Sequence, residues 1–206
     1  MSLPQYVRAA RGVRFFAVVL VTALLPASAL LAGCTSSQPT PPPPPGPVAS
    51  PPVQAFTPGV AFAVTSSAFP PNGVIPTQYT CKGAGTPPPI SWSGDMKGAP
   101  VVSVVVFDPD APGGEFVHWV VYDLPSSVTS LSGAALPAGA KQAENSSGKV
   151  GWTAPCPPSG IHHYHFAVYA MSHPTGLKNG LAADDVRHVI ASNAVAYGEV
   201  IGTVSG

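Results

Sequence analysis

Charged side chains are scarce in this chain. Lysine, arginine, aspartate and glutamate make up 9% of its 206 residues, nine cationic against nine anionic, so the formal net charge is zero. There is no basic cluster or stripe, which excludes the electrostatic footprint of a nucleic-acid-binding protein. Cysteine is sparse as well: three in the whole chain are too few for a miniature fold built on disulfides. No Gly-x-Ser-x-Gly elbow occurs, so the local signature of many serine hydrolases is missing. No internal repeat is visible, which removes solenoids and propellers. Long apolar runs are absent except for one near the N-terminus.

That run, Phe15 to Leu31, follows Arg8, Arg11 and Arg14 and contains Pro26. A short apolar run behind a positive segment and interrupted by proline reads as an export signal rather than a spanning helix. It ends in Leu31-Ala32-Gly33-Cys34, which resembles a bacterial lipoprotein box, where the cysteine is diacylated and becomes the new N-terminus. A chance cysteine behind an ordinary signal peptide is the other reading. Residues 1–33 are thus expected to be a lipoprotein signal peptide, with Cys34 carrying the lipid. Two or more acyl chains hold firmly where one does not, so the expected location is the outer face of the bacterial cell membrane. From Cys34 to Pro58 the chain is dominated by proline, serine and threonine. Such a segment buries too little apolar surface to offset the entropy of folding, and its prolines favour extended polyproline II. At ~3.1 Å per residue, roughly 20 residues reach about 60 Å. A spacer is the simplest reading; a ligand for proline-recognising domains is the alternative.

Residues 59–206 are long enough for one domain with a real core. Cys81 and Cys156 remain once Cys34 is set aside. A disulfide between them and a pair of buried free thiols are both compatible with the sequence, since pairing cannot be read from it. Val101–Phe107, Phe116–Tyr122, Tyr164–Met171 and Glu199–Val204 are rich in β-branched and aromatic residues and predict strands. The first is almost wholly apolar, as in a strand buried on both faces. Ser91-Trp92-Ser93-Gly94 predicts a short strand with Trp92 in the core. A single helix is predicted near the C-terminus, capped by Asp184 or Asp185, with Val186, Val189 and Ile190 on the face that meets a sheet. Mostly β with one or two peripheral helices suggests an antiparallel Greek-key sandwich.

Two blocks carry the chemistry. In the first, Asp108-Pro109-Asp110-Ala111-Pro112 leads to Phe116-Val117-His118-Trp119-Val120. The prolines fix φ on either side of Asp110 and hold a rigid turn. Strand alternation places Phe116, His118 and Val120 on one face and Val117, Trp119 and Val121 on the other. A buried imidazole needs partners for both nitrogens, and a nearby aspartate of the turn is expected to supply one for His118 and raise its pKa. In the second block, Cys156-Pro157-Pro158-Ser159-Gly160 leads to His162-His163-Tyr164-His165. Here His162 and Tyr164 face one way, His163 and His165 the other. Gly160 is expected to let backbone approach a ligand.

Together with Pro88-Pro89-Ile90-Ser91-Trp92, these blocks resemble the phosphatidylethanolamine-binding protein family, in its bacterial Raf-kinase-inhibitor-like branch. The resemblance spans roughly Val64 to Val204. It implies the same Greek-key sandwich and a small pocket for phosphate or carboxylate groups, lined by Asp108, His118, His162 and Tyr164. Asp110, Pro112, Pro157 and Gly160 then shape the pocket, and His163 stands where the family usually has arginine. The resemblance implies a binding protein rather than an enzyme, with no cofactor and no resident metal, and a small anion or lipid head group as partner. Family members also inhibit kinases or serine proteases. An exported domain does not meet a cytoplasmic kinase, so a protease-inhibiting or other protein-interaction module is the form of that alternative that remains. Two further alternatives come from the residues themselves: metal binding by His163 and His165 with a third ligand, and a hydrolase in which a serine joins an Asp–His pair.

Overall fold

A computed structural model describes residues 62–206. The segments expected to be a signal peptide, a lipidated Cys34 and a proline-rich spacer lie outside the described residues. Nine strands and one α-helix follow in chain order: β1 (Phe62–Thr65), β2 (Gly73–Val74), β3 (Ile90–Gly94), β4 (Val101–Asp108), β5 (Phe116–Pro125), β6 (Ser130–Leu131), β7 (Lys141–Gln142), β8 (Ile161–Met171), α1 (Ala183–Asn193) and β9 (Ala194–Ser205). A single 3₁₀ turn covers Thr77–Tyr79.

These strands form two sheets. The smaller has the order β1-β3-β6 and the larger β2-β9-β8-β4-β5-β7. Every pair is antiparallel except β2 with β9, which run parallel and make the larger sheet mixed where a purely antiparallel one was expected. The parallel pair arises because β2 enters from the loop after β1 rather than from a hairpin with β9. Within the large sheet, β4, β5, β7 and β8 lie in the order β8-β4-β5-β7. Three strands in sequence with the fourth returning beside the first is the Greek-key arrangement. The return is the long connection 143–160.

Side-chain alternation splits the interior into two layers. Even-numbered residues of β4 (Val102, Val104, Val106) and of β8 (Tyr164, Phe166, Val168, Ala170) pack with Phe62, Ile90 and Trp92 between the sheets. Odd-numbered ones (Val101, Val105; Ala167, Tyr169, Met171) face the helix. β4 is therefore buried on both faces, as its almost wholly apolar sequence predicts. The sheets close tightly where β1 crosses β9: a Cβ on Gly198 would stand 2.4 Å from the Phe62 carbonyl oxygen, so no larger residue fits there without displacing backbone.

The helix differs from expectation at its start. Ala182 is the cap residue and gives no side-chain hydrogen bond, while Asp184 and Asp185 sit inside the first turn. The entry is fixed by backbone instead. Glu144 donates its N–H to the Leu181 carbonyl (2.8 Å), and its carbonyl accepts from the Ala183 N–H (2.9 Å), one of the unpaired donors of the first helical turn. The two aspartates still favour the positive end of the helix dipole. Ala183, Val186 and Ile190 form the buried stripe, and Val189 is only half-buried.

Candidate functional site

At one end of the large sheet, β4 delivers Asp108, β5 delivers His118, and β8 delivers His162 and Tyr164. The return connection 143–160 closes over them. Together they enclose a cavity of about 290 Å³, whose wall also includes Pro112, Phe116, Thr153, Ala154, Cys156, Pro157 and Pro158. The four residues proposed as ligand-binding thus come together. So do Pro112 and Pro157. Asp110 and Gly160 do not line the cavity. Gly160 has φ +75° with open space where a Cβ would stand, so it serves a left-handed turn rather than the close approach of a ligand.

His118 reaches the cavity by a route that simple alternation misses. Trp119 pairs with Val106, but Val117 pairs with Phe107, so His118 is one residue too many for the ladder. This β-bulge re-aims a side chain, a common device beside functional sites. Phe116 and His118 face the cavity as expected, whereas Val120 joins Val117 and Tyr122 on the helix side, and Trp119 and Val121 join the inter-sheet core.

The hydrogen bonds of the two histidines also correct the expected pairing. Asp108 serves His162, not His118: His162 Nδ1 donates to Asp108 Oδ2 at 2.7 Å, with both side chains almost fully buried. The other Asp108 oxygen accepts from the Asp110 N–H at 2.9 Å. His118 Nδ1 instead meets the Thr153 carbonyl oxygen at 2.8 Å. A carbonyl only accepts, so Nδ1 carries the proton and the neutral ring presents Nε2 as an acceptor. Its ring is packed by Phe116 (4.7 Å between centroids) and edge-on by Tyr164 (5.2 Å). This burial pushes the His118 pKa below its ordinary value, and neither the Thr153 carbonyl nor the charge of Asp108 restores it. The expected rise is therefore reversed, because desolvation outweighs a carboxylate that is paired elsewhere. Burial, reinforced by the nearby Asp108 carboxylate, pushes the Tyr164 phenol far above its ordinary value and keeps it a donor.

Among the described residues, neither His118 Nε2 nor His162 Nε2 has a protein partner. The cavity thus offers two imidazole edges and a phenol within a largely apolar wall. Protonated, the imidazoles donate to an anion; neutral, they accept from a ligand that brings its own proton.

His163 stands on the opposite face of β8. Both its Nδ1 (2.7 Å) and its backbone N–H (2.9 Å) bond Asp110 Oδ2, and this hydrogen bonding holds the Asp110 carboxyl below the usual range. The pair braces the proline turn from outside. His165, on the same face, bonds Glu199 at 3.0 Å and stacks on Phe107. Each of the two histidines weighed for a metal is thus committed to its own carboxylate, and no group of three or more metal-ligating side chains occurs among the described residues. Cys81 and Cys156 form a disulfide, with Cα atoms 5.3 Å apart. It ties the cavity wall to the turn after Tyr79, where Cys81 also donates to the Pro155 carbonyl.

Thr153, Ala154, Phe116 and Pro158 were not foreseen as lining residues. Phe116 was placed on the correct face, and Pro158 lies in the second block; Thr153 and Ala154 carry no signal, because they sit in a connection with no strand pattern.

Comparison with known proteins agrees with the fold. The family model described as phosphatidylethanolamine-binding protein matches residues 65–205. A UPF0098 protein of Mycobacterium tuberculosis is 40% identical over 150 residues, covering 72% of each chain. A second M. tuberculosis protein, provisionally named lipoprotein LppC, is 36% identical over 159 residues, covering 75% of this chain and 79% of that one. The crystal structure of Escherichia coli YbcL, described as a new member of the mammalian family, matches with a TM-score of 0.67 at 31% identity, covering 71% of this chain and 99% of the other.

Proposed function

We propose, from the premise that the chain belongs to the phosphatidylethanolamine-binding protein family, that it is a non-enzymatic binding protein for small phosphate- or carboxylate-bearing ligands. The observation that carries this reading is the convergence of His118, His162 and Tyr164 on one cavity, each imidazole anchored through Nδ1 so that Nε2 is left for a ligand. At about 290 Å³ the cavity lies at the small end of ligand pockets, which suits a head group rather than a whole lipid. A binding role is supported over a hydrolytic one by the hydroxyls present. Thr153 Oγ1 is held by Asn145 and Ser147 at 2.9 Å each, and the Tyr164 phenol resists ionisation, so neither is an activated nucleophile.

The test is a titration of the protein with inorganic phosphate and O-phosphoethanolamine, followed on the histidine ring resonances, with His118→Ala in parallel. Saturable shifts at His118 and His162 that vanish in the variant are expected. No shift at millimolar ligand would overturn the proposal and direct attention to serine proteases as partners.

We further propose that the protein is exported and held by lipid on Cys34 at the outer face of the cell membrane. The Leu31-Ala32-Gly33-Cys34 run supports this, as does the name of the lipoprotein relative. Among the described residues no helix is long and apolar enough to cross a membrane. Incorporation of labelled palmitate that is lost in Cys34→Ser is the expected result; equal labelling of both would refute it.

A further inference from the structure

We infer that Asn145 is the positioning residue of the cavity: it holds Thr153 so that the Thr153 carbonyl fixes the ring orientation and tautomer of His118. The bulge at His118 removes this residue from the β4–β5 ladder, so its backbone groups and its ring need partners from elsewhere. Those partners come from the segment that begins at Asn145. Thr153 donates its N–H to the His118 carbonyl at 3.0 Å and accepts from His118 Nδ1 at 2.8 Å. Thr153 thus grips His118 at both backbone and ring.

What grips Thr153 is Asn145. Its side chain is buried (4% exposed), and Nδ2 donates to Thr153 Oγ1 at 2.9 Å and to the Gly151 carbonyl at 2.7 Å. The amide oxygen accepts from the Ser147 N–H at 2.9 Å and the Ser147 hydroxyl at 2.6 Å. Both ends of the amide are used, which orients it unambiguously: only the NH₂ group can serve two acceptors on the Thr153 side. The neighbouring residue adds a second stitch to the same strand, because Ser146 N–H bonds the Val117 carbonyl at 3.0 Å and Val117 N–H bonds Ser146 Oγ at 2.9 Å. A hydrophobic residue at 145 would leave the Gly151 carbonyl and the Ser147 N–H unpaired, and the segment 146–153 would be free to shift. His118 would then lose the acceptor that forces its proton onto Nδ1.

The consequence for ligands rests on the anion-binding reading, but the effect on the tautomer does not. The test uses ¹⁵N-histidine spectra of the protein, of Asn145→Ser and of Thr153→Val, together with sulfate titrations at pH 6. In the parent, His118 is expected to show a protonated Nδ1 and an unprotonated Nε2 when neutral. Both variants should shift that signal toward the other tautomer and bind sulfate at least fivefold more weakly, with the His162 pattern unchanged. Thr153→Val keeps the backbone and removes only the hydroxyl that meets Asn145 and Ser147, so it decides the matter if Asn145→Ser fails to fold. Retention of the parent His118 pattern in a folded variant overturns the inference. A tautomer change in the variants alongside a parent that binds no sulfate would uphold Asn145 and dismiss the anion reading instead.

Discussion

The buried, neutral His118 leads to a quantitative expectation for pH. Its Nδ1 proton is committed to the Thr153 carbonyl, so Nε2 can donate to an anion only if the ring becomes an imidazolium. Burial holds its pKa below the ordinary 6.5, so above that pH the empty cavity contains a neutral ring. Binding a permanent anion therefore takes up one proton, which enters the equilibrium as a reactant, and affinity must fall as pH rises. One proton per anion means a tenfold loss per pH unit, about 1.4 kcal/mol. Between pH 6.5 and 8.0 the dissociation constant for sulfate should rise about 30-fold, or about 2 kcal/mol. Sulfate is the proper probe because its own charge is constant over this range, whereas a phosphate monoester changes charge near pH 6 and can supply a proton to Nε2 itself. Calorimetry in two buffers of different ionisation enthalpy would count the protons directly. A sulfate affinity constant within twofold from pH 6.5 to 8.0 would refute the reasoning, since it would require the donor to be a group other than an imidazole.

Three further outcomes are expected. Because the unfolded chain takes up a proton at His118 near pH 6.5 and the folded one only at lower pH, stability present above 6.5 should be lost as pH falls below it, by at most about 1.4 kcal/mol per unit; urea titrations at pH 7.5, 6.5 and 5.5 should show this component vanish in His118→Gln, and an unchanged profile would exclude it. Joint replacement of Cys81 and Cys156 by serine opens a loop spanning 75 residues, expected to cost about 4 kcal/mol in the loop-entropy model and roughly 10–15 °C in melting temperature; a shift under 3 °C would mean that the return connection is held without its covalent tie. Asp108→Ala strands a buried His162 and the Asp110 N–H and should destabilise by about 3 kcal/mol, whereas a loss below 1 kcal/mol in chemical denaturation would show that the pair contributes no such support.

How far this site could be foreseen depends on where each residue sits. The strands that carry it were legible because β4 is long, apolar and β-branched and β8 is long and rich in aromatic residues, and His162 and Tyr164 follow the period of two faithfully. His118 was legible as a residue but not as a geometry: a bulge adds one residue to a strand and leaves no mark in its composition, so Val120 was assigned to the wrong face. That no aspartate of the turn partners His118 is hidden for a related reason. Proximity along the chain favoured His118, whereas β4–β8 pairing brings His162, 54 residues away, to the carboxylate. Short strands such as β2, β6 and β7, two residues each, carry no periodicity to detect. Asn145 and Thr153 were hidden most completely. Asn145-Ser146-Ser147-Gly148 reads as an ordinary turn, and nothing local reveals that its amide reaches across to a bulged strand.

The charge pattern around the cavity bears on what it can accept. Among the described residues, no lysine or arginine lines it; the ionisable side chains there are one carboxylate, two imidazoles and a phenol. The position where the family usually has arginine carries His163, whose side chain lies on the outer face and braces Asp110, so its replacement alters the support of the turn rather than the charge of the cavity. A site without a permanent cation cannot hold a multiply charged anion at neutral pH by Coulomb attraction alone, and Asp108 opposes it. Two kinds of ligand escape that penalty. One brings a proton to Nε2 of His118, as a singly charged phosphate does. The other carries its own cation, so that its phosphate meets the imidazoles while its ammonium offsets the field of Asp108. A zwitterionic phosphoethanolamine head meets the second condition, and free O-phosphoethanolamine with a singly charged phosphate meets both, whereas a fully ionised phosphate meets neither. The same scarcity of charge that leaves the chain without a basic footprint for nucleic acid thus narrows the choice among anions.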